Sequence, residues 1–250
     1  MVSNRTGHYS YSLYKEKKFA DAYELNRFGG RFGEYLKNLE CRTFNRLLSD
    51  CHLVLDVGTG TGKLANYLAE KRRVIATDAS LQMLRNARDT ARSRGVSVLF
   101  VTCDAHHLCF KNASFDAVVC SRVLMHLVKW RCALQELCRV SDRTVIVDFP
   151  SVYSFTIFEK KFRSMQKSRR PAIQNYQTFS VKTVAAEFRE NCYHVKSKEK
   201  MFFFPVALYR KLNSNVIASA AEKIFSFFGL TRIWGSPVLM KVEKNILEGQ

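Results

Sequence analysis

The stretch from His52 to Lys63, HLVLDVGTGTGK, limits the possible folds more sharply than any other part of the chain. Leu53 to Val57 is apolar except for Asp56, the pattern of a short parallel strand covered on both faces. Gly58, Gly60 and Gly62 follow at once. Glycines there allow a tight turn and let backbone N–H groups come close to a ligand. From Lys63 to Arg72 the apolar residues Leu64, Leu68 and Ala69 have helical spacing. A strand, a glycine turn and a helix in that order belong to an open α/β sheet. A ligand at the strand end would sit against the helix N-terminus, where unpaired N–H groups carry partial positive charge.

Spacing separates the ligand classes that use such loops. A phosphate-binding loop requires G-x-x-x-x-G-K-[ST]. Here Leu64 follows Gly62-Lys63, and Val57 stands where the first glycine belongs. A dinucleotide loop requires G-x-G-x-x-G, but after Gly58 and Gly60 its third glycine falls on Lys63. What remains is acid-x-G-x-G-x-G with Asp56 as the acid. Arg73–Asp78 reads as a second strand ending in an acid, 22 residues after Asp56. An acid at that tip is placed to accept hydrogen bonds from ribose hydroxyls. Val98–Ala105 reads as a third strand ending in Asp104-Ala105, and Ser114–Cys120 as a fourth.

The glycine loop resembles the first motif of class I S-adenosylmethionine-dependent methyltransferases. Ala79-Ser80-Leu81-Gln82-Met83-Leu84 resembles the family's D-x-S-x-x-M-L continuation, and Ser114–Val118 its S-F-D-x-V strand. Over residues 53–126 the motifs resemble the ubiquinone/menaquinone-biosynthesis, or type 11, small-molecule branch. The resemblance implies a Rossmann-like seven-stranded α/β sheet, mostly parallel with an antiparallel last strand, and helices on both faces. It also implies S-adenosylmethionine as cofactor, held by Asp56, Gly58, Thr59, Gly60, Asp78, Ala79, Met83, Asp104, Ala105 and Ser121. Asp104 would accept a hydrogen bond from the adenine amino group, with Ala105 offering its backbone. Ala22–Phe28 resembles the family's Y-D-x-x-R-F segment, with Glu24 in place of Asp. The resemblance implies Tyr23 as a further cofactor contact and makes Tyr23 and Arg27 candidates for cofactor or substrate contact. Ser121–Leu127 resembles the stretch whose histidine lies near cofactor and substrate, so His126 is the candidate general base.

The whole chain of 250 residues reads as a single domain. Residues 1–50 supply N-terminal helices covering the cofactor site, 51–150 the cofactor-binding core, and 151–250 the substrate-side helices and a C-terminal β-hairpin. Further helices are expected over Arg31–Leu48, Ser80–Arg94, Trp130–Val140 and Thr183–Asn191. Strands are expected over Arg143–Pro150, Tyr193–Phe204 and Trp234–Val242, with one or two helices over Val206–Phe228. Leu81, Leu84, Ala87 and Ala91 form the inward stripe of the helix after Asp78, and arginines 85, 88, 92 and 94 its solvated face.

No apolar run reaches the length of a transmembrane span, and MVSNRTGHYSYSLYKEKK lacks the apolar core of a secretory signal. Eight cysteines without a C-x-x-C pair suggest a reducing compartment, hence the cytoplasm. The segment Cys103–Phe110 mixes Cys and His, but without paired metal-ligand spacing, so no metal is expected. The formal net charge of +18 is the outlier. Residues 152–211 carry 13 Lys/Arg against 4 Asp/Glu. Such a balance favours anionic partners: an acidic membrane surface, a phosphate-bearing or lipid-linked substrate, or RNA. Between Tyr153 and Lys167 aromatics alternate with basics, which suits a lid or a membrane-surface helix.

The leading expectation is methyl transfer to a small or lipid-linked acceptor. RNA methylation is the alternative within the enzyme class, favoured by charge alone. No N-P-P-Y-type motif follows the fourth strand, where base-amine methyltransferases carry one. A non-catalytic adenosylmethionine-binding basic interaction protein is the third reading. The intact Asp56, Gly58, Gly60, Asp78 and Asp104 argue against it.

Overall fold

The computed structural model describes residues 30–154, 176–203, 222–225 and 227–245. Seven strands form one sheet in the order β3-β2-β1-β4-β5-β7-β6. They are β1 (Leu53–Val57), β2 (Arg73–Asp78), β3 (Val98–Thr102), β4 (Phe115–Cys120), β5 (Ser141–Phe149), β6 (Tyr193–Phe202) and β7 (Ser236–Lys244). Pairings from β3 across to β5 are parallel. Only β7 runs against its neighbours, pairing antiparallel with both β5 and β6. This is the sheet that the sequence implied.

Among the described residues the helices packed with it include α1 (Gly30–Leu47), α2 (Lys63–Leu68), α3 (Leu81–Ser93), α4 (Trp130–Val140), α5 (Val181–Glu190) and α6 (Leu230–Trp234). Alternation along the strands feeds two cores. Val54, Ala117, Val119 and Ile146 pack with α1 and α2 on one face. Leu55, Val118, Val145 and Val147 pack with α4 and α5 on the other. Both faces of the central strands are therefore apolar, which is why Leu53–Leu55, Ala117–Cys120 and Val145–Val147 read as unbroken hydrophobic runs.

Several boundaries depart from expectation, each for a physical reason. The helix after the glycine loop ends at Leu68 instead of continuing to Arg72. Arg72 turns back, and its guanidinium donates to the carbonyls of Asn45, Leu48 and Cys51 at the end of α1. Leu81 is not on the inward stripe; it is 53 % exposed, and Met83, Leu84, Ala87 and Ala91 form the buried side. β3 stops at Thr102 because His107 N–H closes a turn on the Asp104 carbonyl. β5 begins at Ser141, so α4 passes into the strand with no turn between them. Trp234 ends α6 and does not start the last strand. Gly235 terminates that helix by donating to the Thr231 carbonyl at 2.8 Å, and β7 begins one residue later. The N-terminal segment expected to be helical before residue 30, the aromatic-basic run from 155 onward, and most of 206–228 lie outside the described residues.

Candidate functional site

The turns leaving β1, β2 and β4 interlock on one edge of the sheet. Gly58, Gly60 and Gly62 all have positive φ, between 59° and 78°. Their surroundings differ. A Cβ on Gly58 would lie 2.3 Å from Val123 Cγ2, so the chain leaving β4 packs directly on the loop. A Cβ on Gly62 would meet Ala87 at 2.8 Å, so that glycine lets α2 approach α3. A Cβ on Gly60 would meet nothing within 4 Å. The middle glycine thus faces open space beside a carboxylate, as a backbone-held ligand requires.

The loop is organised by two acids, Asp56, which is buried, and Asp78, which is half-buried. Asp56 accepts from the Thr59 hydroxyl at 2.7 Å and from the Ala65 N–H in the first turn of α2. It is 1 % exposed, and burial pushes its carboxyl up to about 6, against the opposing pull of Thr59 and Lys63. Its contacts are to the loop and to α2, so it acts on a ligand by shaping the turn. Asp78 bridges the tips of β1 and β2. Its Oδ2 accepts from Gly60 N–H at 2.9 Å and its Oδ1 from Ser80 N–H at 2.8 Å. Burial raises its carboxyl above the ordinary value, while the N–H groups of Ser80, Gly60 and Ala79 favour the ionised form. A carboxylate has about four lone-pair positions, so acceptor capacity remains after these bonds. Ser80 caps α3 by accepting from Met83 N–H at 3.3 Å.

The third tip joins through the backbone, where Cys103 N–H donates to the Asp78 carbonyl at 3.1 Å. Asp104 Oδ1 accepts from His106 N–H at 2.9 Å and meets His106 Nδ1 at 2.7 Å. His106 is itself buried. It orients the acid expected to face adenine, a role that the spacing of Cys103–Phe110 does not reveal. Ser121 is half-buried just past β4, Ala79 is exposed, and the Met83 side chain is buried. His126 ends a single 3-10 turn, Leu124–His126; its N–H donates to Val123 O at 2.8 Å, and its ring is buried. Val123 therefore links the candidate base to Gly58. Gln177 clamps this turn from outside, donating to the carbonyls of Met125 and Leu127 at 2.9 Å each. Tyr23 and Arg27 lie outside the described residues.

A charge network beneath the loop was not anticipated. Glu40 of α1, 2 % exposed, pairs with both Lys63 at the start of α2 and Arg122 just past β4. Arg122 has a φ of 59°, and its N–H donates to Asp148 of β5. These contacts join α1, the glycine loop and the exits of two strands. The sequence did carry a signal, since Glu40 sits on the buried side of α1 with Leu36 and Phe44, where an apolar residue would be ordinary. Among the described residues no group of three His, Cys, Asp or Glu side chains is arranged to hold a metal ion.

Residues 54–143 match a family model described as a methyltransferase domain. Over 103 residues the chain is 38 % identical to demethylmenaquinone methyltransferase of Thermus thermophilus, covering 39 % of this chain and 47 % of that protein. Over 109 residues it is 33 % identical to the ubiquinone/menaquinone biosynthesis C-methyltransferase of Cupriavidus pinatubonensis, covering 41 % and 45 % respectively. The chain thus spans a little under half the length of these curated relatives. Magnesium protoporphyrin IX methyltransferase from Synechocystis PCC 6803, solved with bound SAH, shares the fold with a TM-score of 0.68. That likeness covers 94 % of this chain and 98 % of that one at 17 % identity.

Proposed function

We propose, from a chain whose residues 54–143 match a methyltransferase-domain model, that it transfers a methyl group from S-adenosylmethionine to a small or lipid-linked acceptor. The observation that carries this reading is the Gly60–Asp78 bridge, with open space over Gly60. A backbone free of side chain beside an acid at the second strand tip suits an adenosyl ligand with ribose hydroxyls.

Bound adenosylmethionine supplies an electrophilic methyl group on a sulfonium centre. The chain's own part is alignment and exclusion of water. Asp78 would accept from the ribose hydroxyls, and the Gly58–Gly60 backbone would lie against the ligand. Asp104, held by His106, would accept from the adenine amino group. His126 would take a proton where the acceptor must lose one, as a phenol-like hydroxyl of pKa about 10 must. Asp56 would act indirectly, through the loop and α2.

The relatives support an acceptor of small or lipid-linked type, because those proteins are named for menaquinone and ubiquinone biosynthesis. The net charge of +18 supports an anionic surface or substrate as partner. All eight cysteines are free thiols, which supports a reducing, cytoplasmic setting. No helix among the described residues is long and apolar enough to cross a membrane. The test is transfer of labelled methyl from adenosylmethionine into extracts split into lipid, RNA and small-molecule fractions. Label is expected in the lipid or small-molecule fraction. High-stoichiometry labelling of RNA at physiological salt would overturn the reading.

A further inference from the structure

Large exposed hydrophobic side chains concentrate in one place. Nine are exposed among the described residues, and five of them fall within eleven positions: Ile224, Phe227, Phe228, Ile233 and Trp234. Phe227 is 85 % exposed. The patch is built rather than frayed, because its inward residues are anchored. Phe203 stacks on Phe225 with ring centroids 4.4 Å apart, and Phe203 N–H donates to Glu222 at 2.9 Å. Phe227 and Phe228 pack edge to face at 5.4 Å. Monomeric soluble proteins seldom gather so many large exposed apolar side chains without a partner for them.

Strand register gives the patch its position. Phe149, the last residue of β5, is opposite Val238, and Phe202, the last of β6, is opposite Ser236. α6 leads directly into Ser236. Ser151, just past the end of β5, donates its N–H to Ser236 Oγ. The patch therefore stands on the same edge of the sheet as the glycine loop, the Asp78 bridge and His126. Its charge is one-sided. Lys223 and Arg232 are exposed within it, and its one described acid, Glu222, accepts from Phe203 N–H.

We propose that this aromatic-basic patch docks the protein on a bilayer containing anionic lipid, turning the site edge toward the membrane. Bulky apolar and aromatic side chains bordered by Lys and Arg fit the headgroup–acyl boundary. The proposal rests on the lipid-linked acceptor reading, since a docked edge lets such an acceptor reach the site with its tail still in lipid. It also explains why the apolar side chains gather at this edge, whereas arginines 85, 88, 92 and 94 cover the outer side of α3.

Trp234 provides a direct probe. The chain has two tryptophans, and Trp130 is buried, so a lipid-induced change in emission reports Trp234. The full chain is mixed with phosphatidylcholine vesicles, with or without phosphatidylglycerol, at low and physiological salt. Expected are co-sedimentation with the acidic vesicles, a blue shift of tryptophan emission, and quenching by brominated acyl chains. Binding should weaken as salt rises. The double variant Phe227→Ser/Phe228→Ser should lose about tenfold or more in vesicle affinity. Its thermal stability and adenosylhomocysteine affinity should stay at wild-type values.

Vesicle binding that is undiminished in the variant, with no tryptophan shift in the wild type, would overturn the proposal. So would lipid-independent self-association abolished by the variant, or single-stranded RNA shifting Trp234 where vesicles do not. Failure to bind adenosylhomocysteine would instead count against the proposed function, which separates the two readings.

Discussion

The two sides of the sheet are held together over different lengths of chain. On the β1–β3 side the contacts are short: Thr59 reaches Asp56 three residues back, and Gly60 reaches Asp78 eighteen residues on. On the β4–β7 side they are long. Tyr193 donates to the carbonyls of Cys138 and Ser141 across more than fifty residues, and Ser151 meets Ser236 across 85. Cofactor recognition would rest on a locally encoded turn, and acceptor recognition on distant segments brought together. The Glu40–Lys63–Arg122 network lies where the two sides meet, with Lys63 following β1 and Arg122 following β4.

Breaking that junction should have the largest effect. Glu40→Ala leaves two cations without their buried acid, at a cost of about 3–5 kcal/mol in urea unfolding. A cost near zero would mean that the sides are independent. Next is the pH response of Asp56. Its folded-state value of about 6 lies above the ordinary 3.8, so the folded chain binds this proton more tightly. The resulting stabilisation is present below about pH 3.8 and lost as pH rises through 6, about 3 kcal/mol in total. Wild-type stability should fall by that amount relative to Asp56→Asn between pH 3.5 and 7. Parallel pH profiles would contradict the burial of this acid.

His126 tests the acceptor side. His126→Ala should lower kcat by about a hundredfold with adenosylhomocysteine affinity unchanged. Loss of stability with normal turnover per folded molecule would make the residue architectural. Smaller still is the contrast within the loop. Gly58→Ala should cost about 2–3 kcal/mol, from the positive φ and the clash with Val123. Gly60→Ala should cost only about 1 kcal/mol, since it faces open space, and its effect should appear in ligand affinity. Equal stabilities would remove the distinction between a packed glycine and a ligand-facing one.

The same contrast explains what could be read from the sequence. β1 and β2 span the residues that the sequence assigns to them, because the glycine loop and Asp78 are local signals. Ser80 and Gly95 likewise bracket α3 as capping residues. Arg72 was different, because its partners lie at the end of α1 and nothing nearby in sequence stops α2 at Leu68. Trp234 was given to the last strand because a five-residue apolar helix and a strand look alike by periodicity. The glycine, the acids and His126 were legible as residues. The Asp104–His106 pair and the Glu40 network depend on burial, which spacing alone does not reveal.

The most direct test is calorimetric titration of wild type and Asp78→Ala with adenosylhomocysteine. The account predicts about micromolar affinity for the wild type. It predicts a loss of about 1–3 kcal/mol in the variant, whose loop and ribose hydroxyls lose their shared acceptor. No binding by the wild type, or equal affinities for the two proteins, would contradict it.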